Sequence, residues 1–305
     1  MDRPRRTVNA DFSPPTDTAD ADSNHPLPPH DVGCGAPQSP DVIVFYHLLS
    51  GAVAGLLSGL FGTGGGIVLV PALLLLLQSQ PIPASAITHF ALGTSLASIV
   101  ATGLAGGWTH HRQGNIDWPL ATLMAPFAAL GTQVGAALAD AIDGQTLRQL
   151  FGLFEIGVGF RMWRGSAHFS AAHSITSPKW VCSTGGLAIG AASALFGIGG
   201  GTLTVPITHL LLGRPLRVAV GSAAAVGVVV ALCGTVGFVY QGLGQADFPP
   251  EAAGYVLVPS ALMIAVASVP AALYGARLAH HAPVPILNRL FSILLVVVGI
   301  RLLLP

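Results

Sequence analysis

Two twelve-residue stretches hold the residues best placed to do chemistry. Residues 60–71 read LFGTGGGIVLVP and residues 195–206 read LFGIGGGTLTVP. In each, three glycines (Gly64-Gly65-Gly66 and Gly199-Gly200-Gly201) precede a short apolar run of helical character. The first N–H groups of a helix have no intrahelical partner and carry the positive end of its dipole, about half an elementary charge. Without Cβ atoms in the way, a negatively charged solute can come close to those groups. With Gly62, Thr63 and Gly197 beside them, the two glycine runs form a candidate anion site that needs no buried lysine. Pro71 and Pro206 are expected to limit the runs, because proline disrupts a helix interior.

Other polar residues recur at matching distances from the glycines. Thr94 and Ser95 correspond to Ser222 and Ala223, and the hydroxyls are candidates to donate to an oxyanion. Their alternative use is hydrogen bonding between helices. His89 aligns with Arg217, where a cation would line an anion path; a membrane-edge position is the plainer reading. Glu155 stands alone within 151–160, and its counterpart is Leu295. An intramembrane carboxylate is a functional candidate, here for proton coupling. Arg161 and Arg164, one or two turns further on, offer it an ordinary ion pair instead. Arg161 and Arg301 are expected to snorkel to the headgroups.

Metal and thiol chemistry find little support. Adjacent histidines, as in His110-His111 and His280-His281, do not share a helix face and suit an interface with water better than a metal. Cys34, Cys182 and Cys233 are odd in number and widely spaced, with no CxxC pair. His25, His30 and Cys34 offer at most adventitious ligation. No cofactor is expected.

The elements that must position these residues follow from composition. Of 305 residues, 52% are hydrophobic and 9% charged, against roughly 25% charged in an ordinary soluble domain. Apolar stretches at 42–60, 84–108 and 286–304 reach the length of about 20 residues that spans a bilayer. The chain therefore reads as an all-α, polytopic helical membrane protein. A formal net charge of zero gives no basic surface for nucleic acid. Residues 1–40, rich in Pro, Asp, Ser and His, lack the apolar core of a signal peptide and read as a disordered tail.

The glycine runs are landmarks of a longer duplication. Ala91-Leu92-Gly93-Thr94-Ser95 is echoed by Ala219-Val220-Gly221-Ser222-Ala223, Gln113-Gly114 by Gln241-Gly242, and Gly159-Phe160-Arg161 by Gly299-Ile300-Arg301. The offset drifts from 135 through 128 to 140 residues while the order is kept. Repeats therefore occupy 41–165 and 181–305, joined by a linker at 166–180. Segments are expected near 41–61, 66–78, 84–109, 118–139 and 147–164, then 181–196, 201–212, 216–241, 252–277 and 284–304. That gives eight to ten membrane segments, two of them short, broken or re-entrant. Equivalent loops differ in charge: Arg112 faces Asp247 and Glu251, and Asp140 and Asp143 face Arg277 and Arg289. Opposite charge at equivalent loops is expected of inverted repeats, with the linker cytoplasmic and both termini outside. Inverted repeats with short Gly/Pro-interrupted segments at matching positions point to a transporter site.

The paired glycine motifs and the two-copy plan over about 41–304 resemble the sulfite exporter TauE/SafE family of membrane permeases. The resemblance implies transport of small sulfur-containing anions, such as sulfite or organosulfonates, across the bacterial cytoplasmic (inner) membrane. It also marks the positions around Gly62–Gly66 and Gly197–Gly201 as the substrate site. The partners implied are the bilayer and a small anion. Two other classes stand beside this one: a membrane partner protein that transports nothing, and a membrane-embedded enzyme, which the sparse, unclustered ionisable residues disfavour.

Overall fold

The computed structural model describes residues 40–61, 65–164, 178–245, 248–278 and 284–304. The expected tail, most of the linker, Gly62, Thr63, Gly64, Asp247 and His280-His281 lie outside the described residues.

The first half contains α1 (Pro40–Phe61), α2 (Gly66–Leu77), α3 (Ile87–Arg112), α4 (Trp118–Ala141) and α5 (Gly144–Trp163). The second contains α6 (Pro178–Phe196), α7 (Gly201–Pro206), α8 (Leu216–Gln241), α9 (Val258–Leu278) and α10 (Val284–Leu303). Local signals set several starts. The Asp117 carboxylate accepts from the Leu120 N–H at 3.2 Å and caps α4. Asp143 does the same for α5, accepting from Thr146 at 2.9 Å. Hydrogen bonding from Thr146 holds the Asp143 carboxyl below its ordinary range.

Two expectations need correction. Residues 252–257 are not helical: Ala252–Ala253 (β1) pairs antiparallel with Val256–Leu257 (β2), and α9 begins only at Val258. Gly254, at φ +55°, makes the turn. The Tyr255 N–H donates to the Phe238 carbonyl of α8 at 3.1 Å, so this backbone bonds across to a neighbour rather than along itself. Pro71, for its part, does not stop α2, which runs on to Leu77. The bond it forfeits lies in the first turns, and Val70, Leu73, Leu74 and Leu77, all buried, hold the helix in place. After Pro206 the chain does change, passing into a π-helical turn over Ile207–Leu211.

α1, α3, α4, α8 and α9 have the length and hydropathy to cross a bilayer. Their outward faces are apolar: Leu130, Val134 and Leu138 line one side of α4, and Leu262, Val266 and Leu273 one side of α9, all exposed. In water such stripes would be costly, whereas in lipid they are solvated. The chain is a multi-pass helical membrane protein.

Exchanging α1 with α6, α2 with α7, α3 with α8, α4 with α9 and α5 with α10 leaves the main packed pairs unchanged, whereas the lesser α3–α5 and α5–α6 packing has no comparable counterpart among the described residues. The pair α1–α9 becomes α6–α4, α3–α9 becomes α8–α4, and α2–α3 becomes α7–α8; α3–α8 and α5–α10 map onto themselves. Glycines bring the partners close. A Cβ on Gly51 would lie 2.6 Å from the Ile264 carbonyl oxygen, and one on Gly186 would lie 2.8 Å from that of Met124.

These contacts also fix helix directions. α1 runs parallel to α9, with Gly51 and Gly55 against Ile264 and Ser268; α4 runs parallel to α6, with Gly131 and Gly135 against Leu187 and Ala191. α3 and α8 are antiparallel, with Gly103 against Val228 and Leu96 against Gly234; so are α5 and α10, through Gly152–Gly299 and Gly159–Ser292. The helix ends thus sort onto two faces. One gathers Arg112, Arg161, Arg164, Lys179, Arg214, Arg217, Arg277 and Arg289, against Asp117. The other carries Asp41, Asp140, Asp143 and Glu251, with Arg148 and Arg301. Trp108, Trp118, Trp163 and Trp180, all exposed, ring the basic face as an interfacial belt.

Candidate functional site

The two glycine runs meet inside the molecule. A Cβ on Gly66, the first residue of α2, would overlap the Gly197 carbonyl oxygen and lie 2.6 Å from the Ile198 Cα. It would also lie 3.0 Å from Ile99 Cδ1, and Ile99 in turn packs on Gly199. Ile99 is at the middle of α3, and Gly227, at the middle of α8, packs on the Gly199 carbonyl. The helix starts therefore sit at mid-depth, α2 leaving towards the acidic face and α7 towards the basic one. Backbone conformation explains the residue type. Gly65 (φ +75°) and Gly200 (φ +79°) precede the helices in the left-handed region, as do Gly197 (φ +62°) and Gly199 (φ +63°). Neither helix start has a side-chain cap. Gly65 O accepts from Val68 and Leu69, and Gly200 O from Leu203 and Thr204, the same turn in both halves.

The predicted hydroxyls lie close by, bonded to backbone. Ser95 donates to the Gly197 carbonyl at 2.9 Å, tying α3 to the other half's glycine run. Thr94 Oγ1 accepts from the Leu257 N–H at 3.0 Å, and Ser222 Oγ accepts from the Asp117 N–H at 2.9 Å. These two bonds are equivalents, each holding the start of the other half's fourth helix. All three hydroxyls are fully buried.

Other candidates stand apart. His89 is buried at the acidic end of α3, its Nε2 2.9 Å from the Ala139 carbonyl and its ring stacked on Tyr255 at 5.0 Å. The Tyr255 hydroxyl donates to Asp140 at 2.9 Å. Burial, then this bond, pushes the Tyr255 hydroxyl up to about 12. Arg217 is exposed on the basic face, beside the Arg214–Asp117 ion pair (2.8 Å). Glu155 is fully buried and neither of its oxygens accepts a hydrogen bond, so the anticipated pairing with Arg161 or Arg164 is not made. Arg164 instead lies over the Phe160 ring at 4.3 Å.

Sequence reasoning missed a small cavity beside Gly65. Ser58 of α1, Ser98 and Thr102 of α3, and Ser268 of α9 stand around it with Ala54, Gly55, Leu69 and Ile99, and its open wall is almost wholly apolar, with room for about one water. Ser98, Thr102 and Ser268 donate to carbonyls of their own helices, Thr94 (2.8 Å), Ile99 (3.1 Å) and Ala265 (3.3 Å). Such hydroxyls can rotate to serve a solute. Scattered over three helices, they look like packing serines in the sequence. One signal was available: the positions equivalent to these three across the duplication hold Val226, Val230 and Ala128.

A bundle of membrane-length helices around two short ones that start at mid-depth defines a membrane transporter. The sequence profile of the Sulfite exporter TauE/SafE family matches residues 47–302, and the chain belongs to that family. A "Probable membrane transporter protein" of Haemophilus influenzae is 34% identical over 255 residues, covering 84% of this chain and 96% of the relative. The Bacillus subtilis "Probable membrane transporter protein YdhB" is 30% identical over 254 residues, covering 82% and 96%. The "Probable inner membrane transporter protein TsaS" of Comamonas testosteroni is 29% identical over 208 residues, covering 68% and 80%. No solved structure matches the chain. Family and relatives alike are transporters, which sets the enzyme reading aside.

Proposed function

We propose that the protein is a permease for small sulfur-containing anions, such as sulfite or organosulfonates, in the cytoplasmic (inner) membrane. The observation that carries this reading is the meeting of the two glycine runs, each before an uncapped helix start, at mid-depth; Ser58, Ser98, Thr102 and Ser268 stand around a small void beside Gly65. The amides of Gly65 and Gly66 offer fixed positive dipole ends, and Ser58, Ser98, Thr102 and Ser268 offer adjustable donors for the oxygens of a sulfite or sulfonate group. Gly197, Gly199, Gly200 and Gly201 complete the site from the other half. Gly62, Thr63 and Gly64 belong to it by sequence. Thr94, Ser95 and Ser222 serve it by holding the helix starts and glycine runs in register.

The repeats, 41–165 and 181–305 about the 166–180 linker, are inverted in this reading, with 1–40 a separate tail. The exchange symmetry of the packed pairs and the opposite courses of α2 and α7 support the inversion. The basic face is then cytoplasmic, as positive charge near short loops favours. An anion leaving an inside-negative cell alone gains about 2.3 kcal/mol per charge per 100 mV, which suits export, whereas a proton moving with it cancels that gain.

Counterflow in proteoliposomes, with sulfite, sulfoacetate, thiosulfate and sulfate offered in turn, tests the function. Exchange of at least one sulfur oxyanion is expected. Exchange of none would favour a partner protein that moves nothing.

A further inference from the structure

Among the described residues, Glu155 is the fully buried carboxyl, and the anion site leaves it unused. It stands at the middle of α5, 0% exposed, with both oxygens unpartnered. An ionised carboxylate enclosed without a donor is far costlier than the neutral acid, and such a group takes up a proton instead. The neighbouring turns of α5 place Phe151 in the apolar core and pack Gly159 on Leu295 and Ser292 of α10. Charged groups on α5 lie towards its ends: Arg148, Arg161 and Arg164. Of the helices packed against it, α10 brings Arg289 and Arg301, α6 brings Lys179 and Cys182, and α3 brings His89, His110, His111 and Arg112, all away from the helix middles. None of them hydrogen-bonds to Glu155.

The turn of α5 that carries Glu155 packs on the end of α6. Phe154, its chain neighbour, stacks on Phe196 with centroids 4.4 Å and planes 14° apart, and Phe151 lies 6.3 Å from the same ring. Phe196 ends α6, immediately before Gly197. At the equivalent place in the second half stands Leu295, 1% exposed, so the acid belongs to one half only.

We propose that Glu155 binds the proton that crosses the membrane together with the anion. This rests on the permease reading. An O–H bond forms when the side chain meets water on one side and breaks when it meets water on the other, while the anion is chemically unchanged. A proton and a monoanion moving together carry no net charge, so a pH gradient can drive accumulation in the absence of a membrane potential. Without the carboxyl the anion moves alone, and only the potential acts on it.

Methanesulfonate is the probe, because its anion takes up no proton of its own and any pH drive must come from the protein. In proteoliposomes with the potential clamped by potassium and valinomycin, the unaltered chain accumulates it inside when the exterior is acid. For one-to-one coupling the ratio is about tenfold per pH unit. Glu155→Gln is expected to keep methanesulfonate counterflow and lose the accumulation, whereas Glu155→Asp keeps both. Accumulation by Glu155→Gln equal to that of the unaltered chain would overturn the proposal. So would indifference of the unaltered chain to pH while it exchanges the probe, or loss of counterflow in both variants, which would make the residue structural. Absence of counterflow in the unaltered chain would count against the permease reading instead.

Discussion

The two glycine starts have nearly the same backbone and different surroundings. Gly65 and Gly200 share a left-handed conformation, an uncapped helix after them and the same two carbonyl bonds. Around Gly65, however, Ser58, Ser98, Thr102 and Ser268 leave a cavity. The equivalent residues near Gly200 are Ser193, Val226, Val230 and Ala128, and the last three pack with Ile189 into an apolar cluster. Thr204 replaces Leu69 there, but its hydroxyl donates to the Gly200 carbonyl at 2.8 Å. Duplication thus kept the backbone device in both halves, while side chains left a small void flanked by hydroxyl-bearing residues in one and packed the other closed. Symmetry supplies the two opposed starts; its breaking selects where a solute lodges.

The largest expected effect comes from destroying what the halves share. Gly65→Val and Gly200→Val each force a β-branched residue into a left-handed backbone, a strain of about 1–3 kcal/mol, and add bulk at the glycine contact. Both should abolish anion exchange in vesicles at comparable membrane yield. Normal exchange by both would disconnect the glycines from transport.

Next comes conversion of one side into the other. A triple variant, Ser98→Val, Thr102→Val and Ser268→Ala, gives the first recess the residues of the second. Exchange should fall by about tenfold or more, the loss of roughly one net hydrogen bond to a charged solute. The reciprocal Val226→Ser and Val230→Thr should leave exchange within about twofold, since their hydroxyls bond back to the preceding helical turn. Equal losses from the two sets would erase the distinction between the halves.

Smaller and symmetric effects are expected where the halves agree. Thr94→Val and Ser222→Ala each remove the acceptor for one backbone N–H, at Leu257 and Asp117. Each should cost about 1–3 kcal/mol in thermal or denaturant unfolding in detergent. The smallest effect concerns Tyr255, which has no equivalent hydroxyl in the first half, where Asn115 stands. Its hydroxyl titrates at about 12 when folded against roughly 10 when unfolded. Its contribution is therefore complete below about pH 10 and disappears as pH rises through about 12. Tyr255→Phe should flatten that part of the melting-temperature profile; an unchanged profile would remove the Asp140 bond from the account.

Much of this was legible in the sequence. Hydropathy and the offset repeats set nearly every helix, because a membrane span must be apolar and about 20 residues long whatever packs beside it. The glycine runs could be read as helix starts for the same local reason. The strand pair at 252–257 could not, since its backbone bonds go to Phe238 on a distant helix. The void beside Gly65 also escaped: Ser58, Thr102 and Ser268 become neighbours only once α1 lies along α9 and α9 meets α3. Thr94 and Ser222 were recognised as a pair, yet their partners, the Leu257 and Asp117 amides, are fixed by tertiary packing alone.

Cysteine protection tests the central claim most directly. In a chain whose Cys34, Cys182 and Cys233 are replaced, Ser58→Cys and Ser193→Cys are each labelled with N-ethylmaleimide, with and without saturating methanesulfonate. The anion should slow labelling at Ser58→Cys and leave Ser193→Cys unaffected. Protection at neither position, or only at Ser193→Cys, would contradict an anion held in the recess beside Gly65.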